Sequence, residues 1–313
     1  MHPLLPTLFL SHGGGPCFFM RGGLFQDIDA DSPAASFLRG LEASLELPVR
    51  PTSLVVISAH WEGDADEVRV QSGAKPPLLF DYYGFPPESY QVAWPAPGAP
   101  AVAARAASLL SAAGFSPVLD PARGFDHGVF VPLKLAFPAA DVPALQVSLH
   151  GSLSLERNVA LGRALAPLRA EGALIIGSGF ATHNLHDISR APGSPPARWA
   201  REWDAWLAGA LGVSRPPAAL AAGGVARGAT LPWARLRDAL VGAPNNAPHF
   251  ARAHPRVEHL LPLFVALGAA DPTALPLRFV NDSGGGSGEE VTTMELFSQI
   301  VMGTASLASY RFD

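Results

Sequence analysis

The sequence predicts an α/β fold: one domain in which a mostly parallel central sheet is flanked by helices, with the functional site at the carboxyl ends of the strands. Three observations carry that prediction. Short apolar runs recur along the chain, and each stops at a polar turn bearing glycine or histidine. Between them lie Ala- and Leu-rich segments of helical length, the alternation that builds parallel sheets. No internal repeat and no monotonous linker divides the 313 residues, so a single unit spanning 1–313 is the simplest organisation.

Taken in order, the strands are Leu8–Leu10 before Ser11-His12, Leu54–Ile57 before Ser58-Ala59-His60, Ala144–Leu149 before His150, and Ala173–Ile176 before Gly177-Ser178-Gly179. Largely apolar runs of this kind suit strands covered on both faces. Helices are expected over Ala34–Leu47, Ala101–Ala113 and Leu155–Ala170, and later over Ala197–Leu211, Leu231–Leu240 and Pro255–Leu267. Leu275–Val280 and Met294–Val301 are expected as strands closing the sheet. Proline and glycine, 31 of each, gather in Lys75–Pro100, Ala191–Pro196, Ala243–Pro248 and Asn281–Gly288, which read as long loops.

Composition narrows the partners. Charged residues are 16% of the chain and apolar ones 48%, so it is globular and not disordered. With 22 basic and 27 acidic residues the net charge is -5, and no basic cluster interleaved with aromatics is present to track a phosphate backbone. Nucleic acid is not an expected partner, and neither is a membrane. The longest apolar stretch, Leu260–Ala270, carries Pro262 and is shorter than the roughly 20 residues of a spanning helix. The first residues lack a basic, signal-like start, and the single cysteine, Cys17, cannot pair internally; both fit a reducing compartment, the cytoplasm.

The chemistry lies in the histidines. Ligands collect at the carboxyl ends of parallel strands, and His12, His60 and His183 follow the ends of separate apolar runs. Neutral imidazole is a common ligand for zinc, iron and copper. A fourth candidate, His259, falls in the first turns of the helix expected from Pro255, where the helix dipole favours the neutral form. Position alone leaves these residues open between a shared metal and ordinary core or surface roles, because no HExxH or CxxC pair is present. His2, His150, His186 and His249 lack any partner pattern. His12-Gly13-Gly14-Gly15 resembles an esterase oxyanion loop, but no GxSxG elbow accompanies it, and no phosphate-loop pattern does either; a structural turn is expected. Asp126-His127 is either an acid–base pair or a turn stabiliser.

Taken together, the motifs resemble the class III extradiol ring-cleavage dioxygenases, of the protocatechuate 4,5-dioxygenase (LigB-like) type, in their 4,5-DOPA dioxygenase-like branch. The resemblance rests on Ser11-His12-Gly13-Gly14-Gly15-Pro16, Ser58-Ala59-His60-Trp61, Tyr83-Gly84-Phe85-Pro86 and Trp94-Pro95-Ala96-Pro97-Gly98. It continues through Gly124-Phe125-Asp126-His127-Gly128, Thr182-His183-Asn184-Leu185, the segment His254–Leu263 and the terminal Ser309–Phe312. These span about residues 5 to 312 in family order.

The resemblance implies residue roles. His12, His60 and His259 would hold one metal, expected to be Fe(II) for catalysis, with Zn(II) possible in isolated protein. His183 would be an acid–base catalyst or further ligand, and His127 a second catalytic histidine in the substrate pocket. Glu258 is an alternative ligand, disfavoured because neighbours on a helix point about 100° apart. Asp126, Tyr83, Phe85 and His254 are substrate-binding candidates, and Phe18 and Phe19 could add to an aromatic wall. The implied reaction takes a catechol, DOPA-like or related, and O2 to a muconic semialdehyde. The alternatives are a zinc-binding relative that hydrolyses, or one that only binds. Natural catechol and oligomeric state are not implied.

Overall fold

The computed structural model describes residues 3–189, 191, 193–214, 226–275 and 289–313. Its centre is a nine-stranded sheet ordered β4-β3-β5-β2-β6-β1-β11-β8-β7. The strands are β1 Thr7–Ser11, β2 Ser53–Glu62, β3 Glu67–Gln71, β4 Ser116–Asp120, β5 Ala144–Leu149 and β6 Ala173–Gly179, then β7 Ala226–Pro232, β8 Glu290–Phe297 and β11 Ser309–Phe312. A separate two-stranded ribbon pairs β9 Ile300–Val301 with β10 Ala305–Ser306.

The parallel arrangement holds where the apolar runs are longest. β5, β2, β6 and β1 pair parallel in that order. Beyond them the sheet is mixed. β3 joins β5 antiparallel and carries β4 parallel, while β11, β8 and β7 add antiparallel strands beyond β1. The four central strands were legible because both their faces are covered. Val55 and Ile57 enter one hydrophobic cluster and Leu54 and Val56 the other, as Phe9 does opposite Leu8 and Leu10.

Helices sit on both faces. Leu155–Leu165, Leu261–Ala269, Pro100–Ala112 and Trp233–Val241 cover one side, and Pro33–Ser44 and His127–Ala136 the other. Ser32 caps its helix by accepting from Ala35 N, and Ser154 caps the next by accepting from Arg157 N. The expected Leu155–Ala170 helix ends at Leu165 and restarts as Pro167–Ala170, since Pro167 cannot donate to the helical ladder. Ala243–Asn246 is a short helix inside an expected loop. The expected strand at Leu275–Val280 and loop at Asn281–Gly288 lie, apart from Leu275, outside the described residues.

Helix Leu261–Ala269 is buried throughout, yet it crosses no membrane: no helix among the described residues is long and apolar enough to span one. It begins six residues later than Pro255 suggested, so residues 255–260 form turns and His259 precedes the helix. Two glycines of β6 let that turn lie flat on the sheet. A Cβ on Gly177 would come within 2.1 Å of Pro262 O, and one on Gly179 within 2.1 Å of His259 O. Close backbone approach of this kind needs glycine.

Candidate metal centre

The carboxyl edge of the parallel strands gathers five histidines. His12 follows β1 directly, with its N–H bonded to Gly179 O at 3.0 Å. A turn with Gly13 at φ +76° and Gly15 at φ +55° then carries the chain away, a conformation glycine adopts without strain. His60 lies within β2, which runs on to Glu62. His259 is held against β6 by the bond from Phe180 N to its carbonyl oxygen, 2.8 Å. His127 opens helix His127–Ala136, and His183 follows β6, with its N–H on Ala253 O at 3.0 Å.

Three of the five turn a ring nitrogen toward a common point. His60 Nε2 is 3.1 Å from His12 Nε2 and 3.2 Å from His259 Nε2. The opposite nitrogen of each ring faces a polar partner. His12 Nδ1 is 3.1 Å from Ser178 Oγ, His259 Nδ1 is 2.9 Å from Glu258 Oε1, and His60 Nδ1 is 3.5 Å from Asp81 Oδ2. A hydrogen bond at Nδ1 fixes the tautomer that leaves Nε2 as a lone pair.

Electrostatics agree with a neutral cluster. Burial, followed by repulsion from neighbouring histidines, pushes His12 and His60 well below the usual imidazole range. His259 is pushed down to about 4, first by burial, with Glu258 opposing. Burial, not the dipole of a helix that starts two residues later, is therefore the cause. Neutral imidazoles with Nε2 lone pairs facing one another at about 3 Å repel unless a cation stands among them. The donor set thus fits a borderline metal such as zinc or iron.

Two carboxylates tie this cluster to the other histidines. Asp81 takes the Nδ1–H of His127 at 2.8 Å and its backbone N–H at 2.9 Å, while its second oxygen faces His60. Burial raises Asp81, but its bonds to His127 outweigh that and hold it below the usual carboxylate range. Glu258 behaves alike. Burial raises it, yet the bonds from His183 and His259 prevail and lower it strongly. Its Oε1 lies 3.5 Å from His183 Nδ1, and the His183 ring stacks on His259 with centroids 3.5 Å apart. Glu258 thus touches the cluster through His259, and with His183 and His259 it forms a second group whose ligand atoms lie within 4.8 Å of one another. Asp81 was missed in the sequence because its loop carries no spacing signal; only its place two residues before the Tyr83-Gly84-Phe85-Pro86 motif marked it.

In front of the cluster lies a cavity of about 340 Å³, lined by all five histidines, Gly13–Gly15, Tyr82, Phe85, Phe180 and a rim of aliphatic side chains. Several sequence candidates are elsewhere. Tyr83 is 92% exposed while its neighbour Tyr82 lines the cavity, because consecutive residues of an extended segment point to opposite sides. Asp126 is fully buried behind His127, accepting from Ser58 Oγ at 2.7 Å and Arg123 Nη2 at 3.0 Å and bonded to Gln146 Nε2, so its oxygens are committed to the scaffold. His254 is buried against Trp203, its Nε2 3.1 Å from Ala181 O. Phe18 packs under Gly13, and neither it nor Phe19 lines the cavity.

Residues 6–284 match the family of the catalytic LigB subunit of aromatic ring-opening dioxygenases. The chain belongs to that family. It is 35% identical over 308 residues to the 4,5-DOPA dioxygenase extradiol of Portulaca grandiflora, covering 98% of this chain and 95% of that one. Against the protein of the same description from Escherichia coli K12 it is 32% identical over 282 residues, or 89% and 94% of the two chains. The crystal structure of an uncharacterized protein from Escherichia coli K12 superposes with a TM-score of 0.67 at 27% identity, covering 98% of each chain. The family is described as one of aromatic ring-opening dioxygenases, and the chain has histidine and carboxylate groups placed to hold a metal.

Proposed function

We propose that the chain, acting over 1–313 as one catalytic unit, cleaves the ring of a catechol beside one of its hydroxyl-bearing carbons, with O2 as co-substrate and Fe(II) held by His12, His60 and His259. The observation that carries this reading is the cluster of three Nε2 atoms at the mouth of an apolar cavity, with the rings of His12 and His259 bonded from behind through Nδ1. Fe(II) bound there would supply open positions where the two catechol oxygens and dioxygen meet.

The chain's own residues do the rest. His183 lines the cavity with Nδ1 toward Glu258, and its Nε2 has no protein partner among the described residues. It takes the proton of a catechol hydroxyl and returns one to the opening ring, the general acid–base work suited to imidazole. His127, with Nδ1–H given to Asp81, keeps Nε2 for the second catechol oxygen. Tyr82, Phe85 and Phe180 exclude water and hold the ring.

The test is oxygen uptake after anaerobic Fe(II) loading, with catechol, protocatechuate and DOPA. Uptake matched by a yellow semialdehyde chromophore is expected. Stoichiometric metal with no uptake for any catechol would contradict the reading and favour a zinc-dependent hydrolase or a binding protein.

A further inference from the structure

The wall of the cavity beyond the histidines says what the catechol carries. Its side chains include Phe25, Ile28, Leu185, Ile188, Val301 and Met302, and among the described residues no arginine or lysine lines it. Two polar side chains on that wall are already committed. Tyr82 donates its hydroxyl to Ser89 O at 2.6 Å. Asn184 gives Nδ2 to Arg252 O at 2.7 Å and takes His186 N on Oδ1 at 3.1 Å. The Thr182 hydroxyl oxygen is buried and has no hydrogen-bond partner among the described residues. The Gly13–Gly15 backbone follows directly on His12 and runs past Ile28 and Phe85.

Behind the wall stands a carboxylate. Asp27 accepts from Met302 N at 3.1 Å and Gly193 N at 3.0 Å. A carboxylate or ammonium on the substrate would leave water for a wall that, among the described residues, offers no arginine or lysine as counter-ion. Burial of an unpaired charge is among the costliest steps in recognition. An alkyl or aryl substituent would instead replace water against apolar carbon.

We infer that the substrate is a neutral catechol bearing an apolar substituent at the ring position remote from the diol, and that charged catechols such as amino-acid or carboxylate derivatives are discriminated against. The inference rests on the ring-cleavage reading above and narrows it. All catechols share the same diol, so a matched pair reports the substituent alone.

The test compares 4-butylcatechol with 3-(3,4-dihydroxyphenyl)propionate, dopamine and DOPA on Fe(II)-loaded protein. Dissociation constants are measured by calorimetry under argon and kcat/KM by oxygen uptake. Binding of 4-butylcatechol at least about ten-fold tighter than each charged catechol, with kcat/KM following, is the expected result. In Ile188→Arg the gap to the propionate should narrow by about ten-fold while the gap to dopamine does not. Equal or tighter binding of any charged catechol to the unaltered protein would overturn the inference and leave ring cleavage standing. Failure of every catechol to bind the metal-loaded protein would instead bring down the ring-cleavage reading and the inference with it.

Discussion

The three facing nitrogens of His12, His60 and His259 have two unlike sides. Behind them stand Ser178, Asp81 and Glu258, each aimed at an Nδ1; in front lies a cavity walled by Phe85, Phe180, Ile188 and Met302. The polar side decides what the cluster is: the bonds at Nδ1 of His12 and His259 favour the tautomer whose Nε2 lone pair faces the common point, and Asp81 faces Nδ1 of His60 at 3.5 Å. The apolar side decides what the cluster meets, because it admits a ring and keeps water scarce. The sides communicate through two carboxylates. Asp81 joins His60 to His127, and Glu258 joins His259 to His183, so each carboxylate links a proposed ligand with a proposed proton carrier.

Removing a ring from the polar-backed cluster should have the largest effect. His12→Ala or His60→Ala is expected to lower metal affinity by at least about 10³-fold, beyond the roughly 10–100-fold of an outer-shell change, as read by metal analysis after dialysis. His183→Ala should separate the two sides: metal content stays at one per chain while kcat falls about 10²–10⁴-fold. A His183→Ala protein with normal turnover would remove that residue from the mechanism.

Smaller changes probe each side by itself. Glu258→Ala should weaken metal binding about 10–100-fold, and Glu258→Gln should recover most of the loss, because its amide oxygen can still accept from His259 Nδ1. On the apolar side, Phe85→Ala should raise KM by roughly ten-fold with kcat little changed and metal content unaltered. The smallest effect concerns acid. His259 is pushed down to about 4 and His254 to about 3, chiefly by burial. The unfolded chain binds protons below about 6.5 that these buried rings refuse, so stability is full above that pH and is lost as pH falls toward 4. Tm of the metal-free protein should therefore drop between pH 7.5 and 5; a flat or rising Tm would contradict the burial argument.

The central strands and the edge they present were legible in the sequence because strands buried on both faces read as near-continuous apolar runs, as Leu54–Ile57 and Ala173–Ile176 do. Strands β3 and β4 at one rim were not, whereas the strand expected over Met294–Val301 overlaps β8. Glu67-Val68-Arg69-Val70-Gln71 alternates charge with valine and is too short to separate from a loop, and Ser116–Asp120 contains Pro117, tolerated at an edge. The helix at His127–Ala136 was hidden by Pro132 in its interior. For the site, the ligand positions were visible as histidines after strands, whereas the facing of each neighbour was not. Tyr82 and Tyr83, or Glu258 and His259, differ by which side of the backbone they leave, and single-residue phase in a loop has no sequence signature.

On the proposed reading three imidazoles, and no carboxylate, hold one metal. X-ray absorption on the metal-loaded protein tests this directly, with His259→Ala and Glu258→Gln as references. Three imidazole nitrogens at about 2.0–2.2 Å are expected in the unaltered protein and in Glu258→Gln, with one fewer in His259→Ala. A spectrum with two imidazoles and a carboxylate oxygen that disappears in Glu258→Gln would contradict it.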